Sequence, residues 1–179
     1  MTQTAEVYAK ALYSLAVDEN LSRELYQQLQ VLRGCVLEQP DFLRLLAASE
    51  LGKQERYRIL DKCFSGKAHP YTVNFMKLLT EHGYIRLFPD CCEAYARRYR
   101  EDRGILPVLA VTAVPMSRKQ ISRLEEKLAS LTGKRIELTC RTDPACIGGV
   151  RLVYEGRQTD GTVKHHLDRL DRILKNTAL

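Results

Sequence analysis

The chain has 179 residues, of which 45% are hydrophobic and 28% charged, and its formal net charge is +6. This length suffices for one large domain or two small ones, each with its own core. No run of about 18 apolar residues is present, which excludes a membrane-spanning helix of ordinary length. Because the N-terminal segment also lacks the unbroken apolar centre of a signal peptide, we expect a protein inside the cell.

The first hundred residues predict six consecutive helices, because apolar residues recur there at steps of three and four. Pro40, Pro70 and Pro89 are placed to open the third, fifth and sixth helices, and Gly83 and Gly104 to end the last two. The predicted apolar faces are, in chain order, Val7, Tyr8, Ala11, Leu12 and Leu15; Leu21, Leu25, Leu29, Leu32 and Val36; Phe42, Leu45 and Leu46; Tyr57, Leu60 and Cys63; Val73, Met76 and Leu79; and Phe88, Cys92, Tyr95 and Tyr99.

The pattern changes after Gly104. The apolar stretch LPVLAVTAV predicts a central strand. Ser117 and Gln120 form a capping-box pattern for a helix that carries Ile121, Leu124, Leu128 and Leu131 and stops at Gly133. Two alternating segments, KRIELTCRT and GVRLVYEG, predict half-buried strands, and a last helix is expected from Thr162. The sequence therefore predicts an α+β chain in which an N-terminal six-helix bundle (residues 1–105) precedes a small β-α-β-β-α domain (residues 106–179).

The positive charge is concentrated in the second of these domains. Residues 1–105 carry 15 Lys and Arg against 14 Asp and Glu, a net +1, and residues 106–179 carry 13 against 8, a net +5. An excess of this kind favours an acidic partner or a nucleic acid, although a merely solvated basic face is the commoner explanation.

The stretch from Asp143 to Thr162 raises the question of a catalytic or phosphate-binding loop. Gly148 and Gly149 lack the following Lys-Ser/Thr of a phosphate loop, and the G-x-G-x-x-G of a dinucleotide loop is missing. Asp143-Pro144 and Asp160-Gly161 instead predict turns, with Thr162 as a helix cap. We interpret these residues as structural.

No other group of residues predicts chemistry. The adjacent His165 and His166 would point about 100° apart on a helix, and Cys146 has no evident activating partner nearby in the sequence. The six cysteines show no paired ligand spacing, so we expect reduced thiols and no metal site, catalytic residue or cofactor. Tyr154 is the single aromatic residue after Leu106, which makes specific nucleic-acid readout an unfavoured alternative.

A binding role remains. The first helix combines small and large apolar residues in Tyr8, Ala11, Leu12 and Leu15, which would allow a partner helix to approach closely. The competing interpretation is that all four residues face the core of the bundle.

Four segments together resemble the delta subunit of bacterial F-type ATP synthases, the relative of the mitochondrial oligomycin-sensitivity-conferring protein. They are YAKALYSLA (8–16), LLTEHGYIRLFPD (78–90), VTAVPMSRKQ (111–120) and DPACIGGVRL with DGTVKHHLDRL (143–152 and 160–170). Two features depart from the family pattern: Tyr84 stands where arginine is frequent, and the cysteines are unusually many. The signature residues are Asp143, Pro144, Gly148, Gly149, Asp160, Gly161 and Thr162.

This resemblance implies a non-catalytic stator subunit without a cofactor, peripheral to the cytoplasmic face of a bacterial membrane. The helical domain would bind N-terminal helices of the alpha subunits, and the C-terminal domain the b subunits of the peripheral stalk. By analogy the alpha-subunit groove would lie between the first and fifth helices, lined by Tyr8, Ala11, Leu12, Leu15, Phe75, Leu78, Leu79 and Gly83. The alternatives are a nucleic-acid-binding adaptor that uses the basic C-terminal domain and, less favoured, an enzyme with a site assembled from distant residues.

Overall fold

The computed structural model describes residues 2–48, 50–146, 148–154 and 156–160. In this part of the chain helices fill the first hundred residues, and strands with one helix follow. The helices are α1 (Gln3–Asp18), α2 (Ser22–Glu38), α3 (Pro40–Ala47), α4 (Lys53–Phe64), α5 (Pro70–Glu81), α6 (Phe88–Asp102) and α7 (Arg118–Thr132), with a 3-10 turn at Ile85–Leu87. The strands are β1 (Ile105–Thr112), β2 (Arg135–Thr142), β3 (Val150–Tyr154) and β4 (Arg157–Asp160). The chain is therefore of the α+β class, as predicted.

The chain divides into two compact units, Met1–Tyr99 and Arg100–Leu179. The helices α1 to α5 lie in the first unit, and α6 begins there and runs three residues into the second. The strands and α7 belong to the second unit.

The core face of α1 differs from the predicted one. Ala5, Ala9, Leu12 and Ala16 are buried, at the spacing i, i+4, i+7 and i+11. Val7 is 62% exposed, so its placement in the core stripe is wrong. Three of the four buried residues are alanines, whose small side chains let α1 pack closely against the rest of the helical unit. Of the predicted apolar stripe, Leu12 alone is among these buried residues.

The centre of the helical unit is formed by α6. Tyr95 is completely buried, and its hydroxyl donates a hydrogen bond of 3.1 Å to the backbone carbonyl of Ser22 at the start of α2. The ring of Tyr13 meets that of Tyr95 edge to face, with centroids 5.3 Å apart. Burial raises the pKa of the Tyr95 hydroxyl well above its ordinary value. One side chain thus joins α1, α2 and α6.

Cys63 is exposed, although the sequence pattern placed it on the inner face of α4. Leu60 on the same helix is completely buried. The inner face of α4 passes instead through Leu60 and Phe64, whose ring meets that of Phe42 of α3 edge to face with centroids 5.8 Å apart.

The second unit contains a four-stranded sheet in the order β2-β1-β3-β4. The strand β1 is central, as predicted; it pairs in parallel with β2 and antiparallel with β3, and β3 pairs antiparallel with β4. The helix α7 forms the crossover that a parallel β1–β2 pair requires. Leu106, Val108 and Ala110 of β1 are buried, which is the behaviour expected of a central strand.

The strand β4 was not predicted; its last residue, Asp160, pairs with Arg151 of β3. The four residues of β4, Arg-Gln-Thr-Asp, contain no apolar side chain, so no alternation could reveal the strand. Gly161, Thr162 and the predicted last helix lie outside the described residues.

The predicted capping box of α7 is confirmed. The hydroxyl of Ser117 accepts a hydrogen bond from the backbone N–H of Gln120, and the Gln120 side chain accepts one from the backbone N–H of Ser117 at 2.8 Å. The predicted stop is also confirmed, since Gly133 follows α7 with a φ of +67°. The predicted apolar stripe of α7 is only partly covered: Ile121, Leu124 and Leu128 are half-buried, and Leu131 is 74% exposed.

Candidate functional site

An apolar cleft of about 410 Å³ lies between α1 and α5 in the helical unit. Each helix contributes four residues at helical spacing to its walls. They are Tyr8, Ala11, Leu12 and Leu15 from α1 and Tyr71, Asn74, Phe75 and Leu78 from α5. Asn74 is the only polar residue among these eight. The cleft is thus an elongated apolar channel between two helices, a shape suited to the apolar face of a third.

The four α1 residues of the predicted groove all line this cleft, but they differ in burial. Leu12 is 6% exposed and belongs to the core as well, whereas Leu15 is 39% exposed. Ala11 is exposed, and Tyr8 is half-buried. The interpretation that all four face the core therefore fits Leu12 alone. The other three offer side-chain surface to the cleft.

The four predicted residues of α5 divide in a different way. Phe75 and Leu78 line the cleft, but Leu79 is completely buried and does not, and Gly83 lies beyond the end of α5. Leu79 is one residue, about 100°, from Leu78 around the helix axis, which turns it towards the core. Sequence reasoning missed Tyr71 and Asn74, although Tyr71, at i−4 and i−7 from Phe75 and Leu78, could have been found from helical spacing.

Gly83 has a different role, in ending α5. Its φ is +75°, in the left-handed region that glycine adopts without a steric penalty. The backbone N–H of Tyr84 donates to the carbonyl of Leu79 at 2.7 Å, and that of Gly83 to the carbonyl of Thr80 at 3.2 Å. This pair of bonds is a Schellman motif, which directs the chain sharply away from the helix axis.

That turn carries Tyr84 to one end of the cleft. The rings of Tyr8 and Tyr84 meet edge to face with centroids 5.9 Å apart, and the ring of His82 lies 6.3 Å from that of Tyr8. These contacts place the first half of α1 beside the C-terminal end of α5. The two helices therefore run antiparallel along the cleft, and Leu15 lies towards the end of the cleft that Tyr71 occupies.

A polar cluster on α4 braces the C-terminal half of α5. The Glu81 carboxylate accepts hydrogen bonds from the Lys53 ammonium and, at 2.8 Å, from the Tyr57 hydroxyl. These bonds, that of Lys53 first, hold the pKa of the Glu81 carboxyl below its ordinary value of 4.5. One turn earlier on α5, Lys77 pairs with Asp61 of α4 at 2.6 Å. The two ion pairs fix α5, one wall of the cleft, against α4.

A second cleft of similar volume lies between α2 and the segment where α4 ends. Its lining residues are Gln27, Gln28, Val31, Leu32, Cys63, Phe64, Lys67 and Ala68. The sequence reading did not single out this surface. Val31 could have indicated it, because this apolar residue lies outside the predicted apolar stripe of α2, one turn from Gln27 and Gln28. In the structure Val31 is 66% exposed.

The stretch beginning at Asp143 is a turn, as its composition predicted. The Asp143 carboxylate accepts a hydrogen bond of 3.0 Å from the backbone N–H of Ala145 and pairs with Arg151 at 3.6 Å. Pro144 lies in the same turn, and Gly148 and Gly149, the latter with a φ of +85°, lead into β3. The backbone N–H of Asp143 also donates to the carbonyl of Thr112 at 2.8 Å, which ties the turn to the end of β1. None of the contacts described in this stretch forms a ligand cradle.

The cysteines fall into an exposed and a buried set: Cys35, Cys63 and Cys140 are exposed, and Cys91, Cys92 and Cys146 are buried. Burial raises the pKa of the Cys91 thiol to about 12 and also raises that of Cys92. Both groups are therefore protonated at neutral pH and poor nucleophiles. Within the described ranges, no three His, Cys, Asp or Glu side chains are grouped so as to hold a metal ion.

The family model of the ATP synthase delta (OSCP) subunit matches residues 4–174. The chain is 31% identical over 172 residues to ATP synthase subunit delta of Desulfitobacterium hafniense (strain DSM 10664 / DCB-2), covering 96% of each chain. It is 33% identical over 170 residues to ATP synthase subunit delta of Gloeobacter violaceus, covering 94% of this chain and 92% of the relative. A chain in the structure of the Toxoplasma gondii mitochondrial ATP synthase hexamer shares the fold, with a TM-score of 0.70 and 22% identity over 97% of this chain and 98% of that one. No helix in the described residues is both long and apolar enough to cross a membrane.

Proposed function

The chain belongs to the ATP synthase delta (OSCP) subunit family, and we propose that its α1–α5 cleft is the surface through which it holds the catalytic head of the enzyme. As a member of this family it is a non-catalytic subunit of the F-type ATP synthase and part of the stator. The comparisons give no support to the nucleic-acid-binding alternative.

The composition of the cleft is the observation that carries this proposal. A stator must resist the torque of the rotor, so its contacts need slow dissociation, which buried apolar anchors provide and an exposed charged surface does not. Seven of the eight lining residues are apolar or aromatic, and they continue over two helical turns on each wall. The occupant of best fit is an amphipathic helix, and we assign that role to the N-terminal helix of an alpha subunit.

A single substitution tests the cleft. Ala11 is exposed on the cleft wall, and a tryptophan there would fill the space that the bound helix needs. We expect Ala11→Trp to abolish calorimetric binding of a peptide that corresponds to the alpha-subunit N-terminus. Ser14→Trp is the matched control, since Ser14 is exposed on α1 but does not line the cleft. Unchanged binding by Ala11→Trp would show that the cleft is misplaced.

For the second unit we propose a link to the b subunits of the peripheral stalk. The support is the net charge of +5 over residues 106–179, which suits the charged end of a coiled coil. In this arrangement residues 1–105 form the helical bundle on the head, residues 106–179 form the stalk-binding domain, and the complex holds the chain at the cytoplasmic face of a bacterial membrane. Electrostatic attraction predicts weaker binding of b as salt is added; affinity that ignores salt would contradict the charge argument.

A further inference from the structure

The two ends of the α1–α5 cleft differ in charge. On α1 the cleft face runs through Tyr8, Leu12 and Leu15, and the next positions at i+3 and i+4 are Asp18 and Glu19. Both are exposed. They lie about one helical turn, or about 5 Å, beyond Leu15. The apolar channel therefore leads at this end to a pair of carboxylates.

The charges next along the chain compensate these carboxylates only in part. Residues 18–24 contain three acidic groups and one basic group, a net charge of −2. The last turn of α1 has no basic residue. The first turn of α5, which lies at the same end, is Pro-Tyr-Thr-Val and carries no charge. Because α1 and α5 are antiparallel, the partial charges of their ends, about half a unit each and opposite in sign, largely cancel. The side chains therefore determine the sign of the charge at the Leu15 end of the cleft, and that charge is negative.

At the opposite end the carboxylates are paired. Glu6, in the first turn of α1, contacts the guanidinium of Arg97 and lies 3.9 Å from that of Arg98. Glu81, in the last turn of α5, is held by Lys53. The Tyr8 end of the cleft is consequently neutral to positive, while the Leu15 end is negative. A charged occupant will distinguish the two.

We propose that the helix bound in this cleft carries basic side chains at one end of its apolar stripe and that this basic end lies over Asp18 and Glu19. The inference rests on the proposed function of the cleft. The lining residues Tyr8 to Leu15 cover about 10 Å of helix, which matches three apolar anchors at i, i+3 or i+4, and i+7. The basic residues follow one turn beyond the last anchor. Charge thus selects the partner and fixes its direction, while the apolar anchors supply the slow dissociation.

The probe is a synthetic amphipathic peptide of about 15 residues, long enough for three anchors and one further turn at each end. One version carries two lysines one turn beyond the last anchor, and its matched version carries two glutamines there. With the full chain at low salt, we expect the lysine peptide to bind roughly threefold to tenfold more tightly, since each exposed ion pair contributes modestly. The ratio should approach one in about 0.5 M salt, where charges are screened within a few ångströms.

The decisive variant is the double substitution Asp18→Asn/Glu19→Gln, which removes both charges at the end of α1 without altering the apolar walls. It should bind both peptides equally, whereas the control double variant Glu38→Gln/Asp41→Asn, at exposed positions on α2 and α3, should keep the preference. A preference that survives in Asp18→Asn/Glu19→Gln, or no preference in the wild type, overturns the inference.

The direction of the bound peptide in the cleft can be measured separately. A nitroxide attached to the basic end of the peptide should broaden the methyl resonances of Leu15 more than the ring resonances of Tyr84; the reverse order overturns the inference. A wrong assignment of the cleft as the binding site would give a different result from a wrong charge inference. In that case neither peptide would bind, or the Ala11→Trp variant would bind both peptides as the wild type does.

Discussion

The side-chain carbonyl oxygen of Gln28, on α2, accepts a hydrogen bond of 2.8 Å from the backbone N–H of His69, the residue that caps α5. The Thr72 hydroxyl donates to the same oxygen at 3.4 Å, and His69 in turn accepts from the backbone N–H of Tyr71 through its Nδ1 atom. A residue more than forty positions away in the chain thus completes the N-terminal cap of the helix that forms one cleft wall.

Replacing this side chain should weaken the helical unit. We expect Gln28→Ala to lower the free energy of unfolding by about 1 kcal/mol, since a helix N-terminal donor loses its acceptor. Gln27→Ala, at the exposed neighbouring position, is the control and should change stability little. Urea unfolding followed by helical circular dichroism measures both. Equal stability of the two variants would argue against the cross-helix cap.

The end of α5 gives a prediction that separates stability from binding. An added Cβ at Gly83 meets no atom within 4 Å, but its φ of +75° strains any other residue. Gly83→Ala should therefore cost about 1 kcal/mol in the free energy of unfolding while leaving peptide binding to the cleft unchanged.

Gly34 provides the matched control for this substitution. It lies inside α2, has no positive φ and is equally uncrowded. Gly34→Ala should raise stability by about 1 kcal/mol, because alanine is the better helix former. The two glycine variants should therefore shift the urea midpoint in opposite directions, and a shift of the same sign in both would refute the backbone explanation.

The Glu81 cluster predicts a pH dependence of known sign. Because its hydrogen bonds lower the pKa of the folded carboxyl below 4.5, its contribution to stability is present above that pH and is lost as pH falls through the lower, folded value. Glu81→Gln should lack this contribution, so its stability should fall less steeply than that of the wild type on acidification below 4.5. Asp41→Asn, which alters an exposed pair within one turn of α3, serves as the control. Parallel acid limbs for Glu81→Gln and the wild type would contradict the assignment.

Thiol accessibility gives the last prediction. A thiol reagent at neutral pH should modify Cys35, Cys63 and Cys140 rapidly in the folded chain. The buried thiols should react only after unfolding. Because burial raises the pKa of the Cys91 thiol to about 12, its thiolate fraction at neutral pH is smaller than that of an ordinary cysteine by orders of magnitude. Mass spectrometry of peptides after timed labelling distinguishes the two sets. Rapid labelling of Cys91 or Cys92 would contradict the packing of α6.

Most of what the sequence determined about this protein is local. Pro70 at the start of α5, the Ser117–Gln120 box, the stop at Gly133 and the alternation in β2 each follow from the conformations that short stretches of chain prefer. The same local signals, taken in order, also supported the resemblance to the delta-subunit family.

The tertiary structure alone decided which apolar residues face the core and which line the cleft. The apolar residues of α1 occupy more than one side, so periodicity could not choose between Ala5, Ala9 and Ala16 as core and Ala11 and Leu15 as cleft wall; the neighbouring helices made that choice. For the same reason Leu78 lines the cleft and Leu79 does not. The strand β4 has no apolar side chain and is defined by its backbone pairing with β3. The pattern of side chains along a segment indicates which residues it could bury. Long-range packing and backbone hydrogen bonds determine which of them are buried.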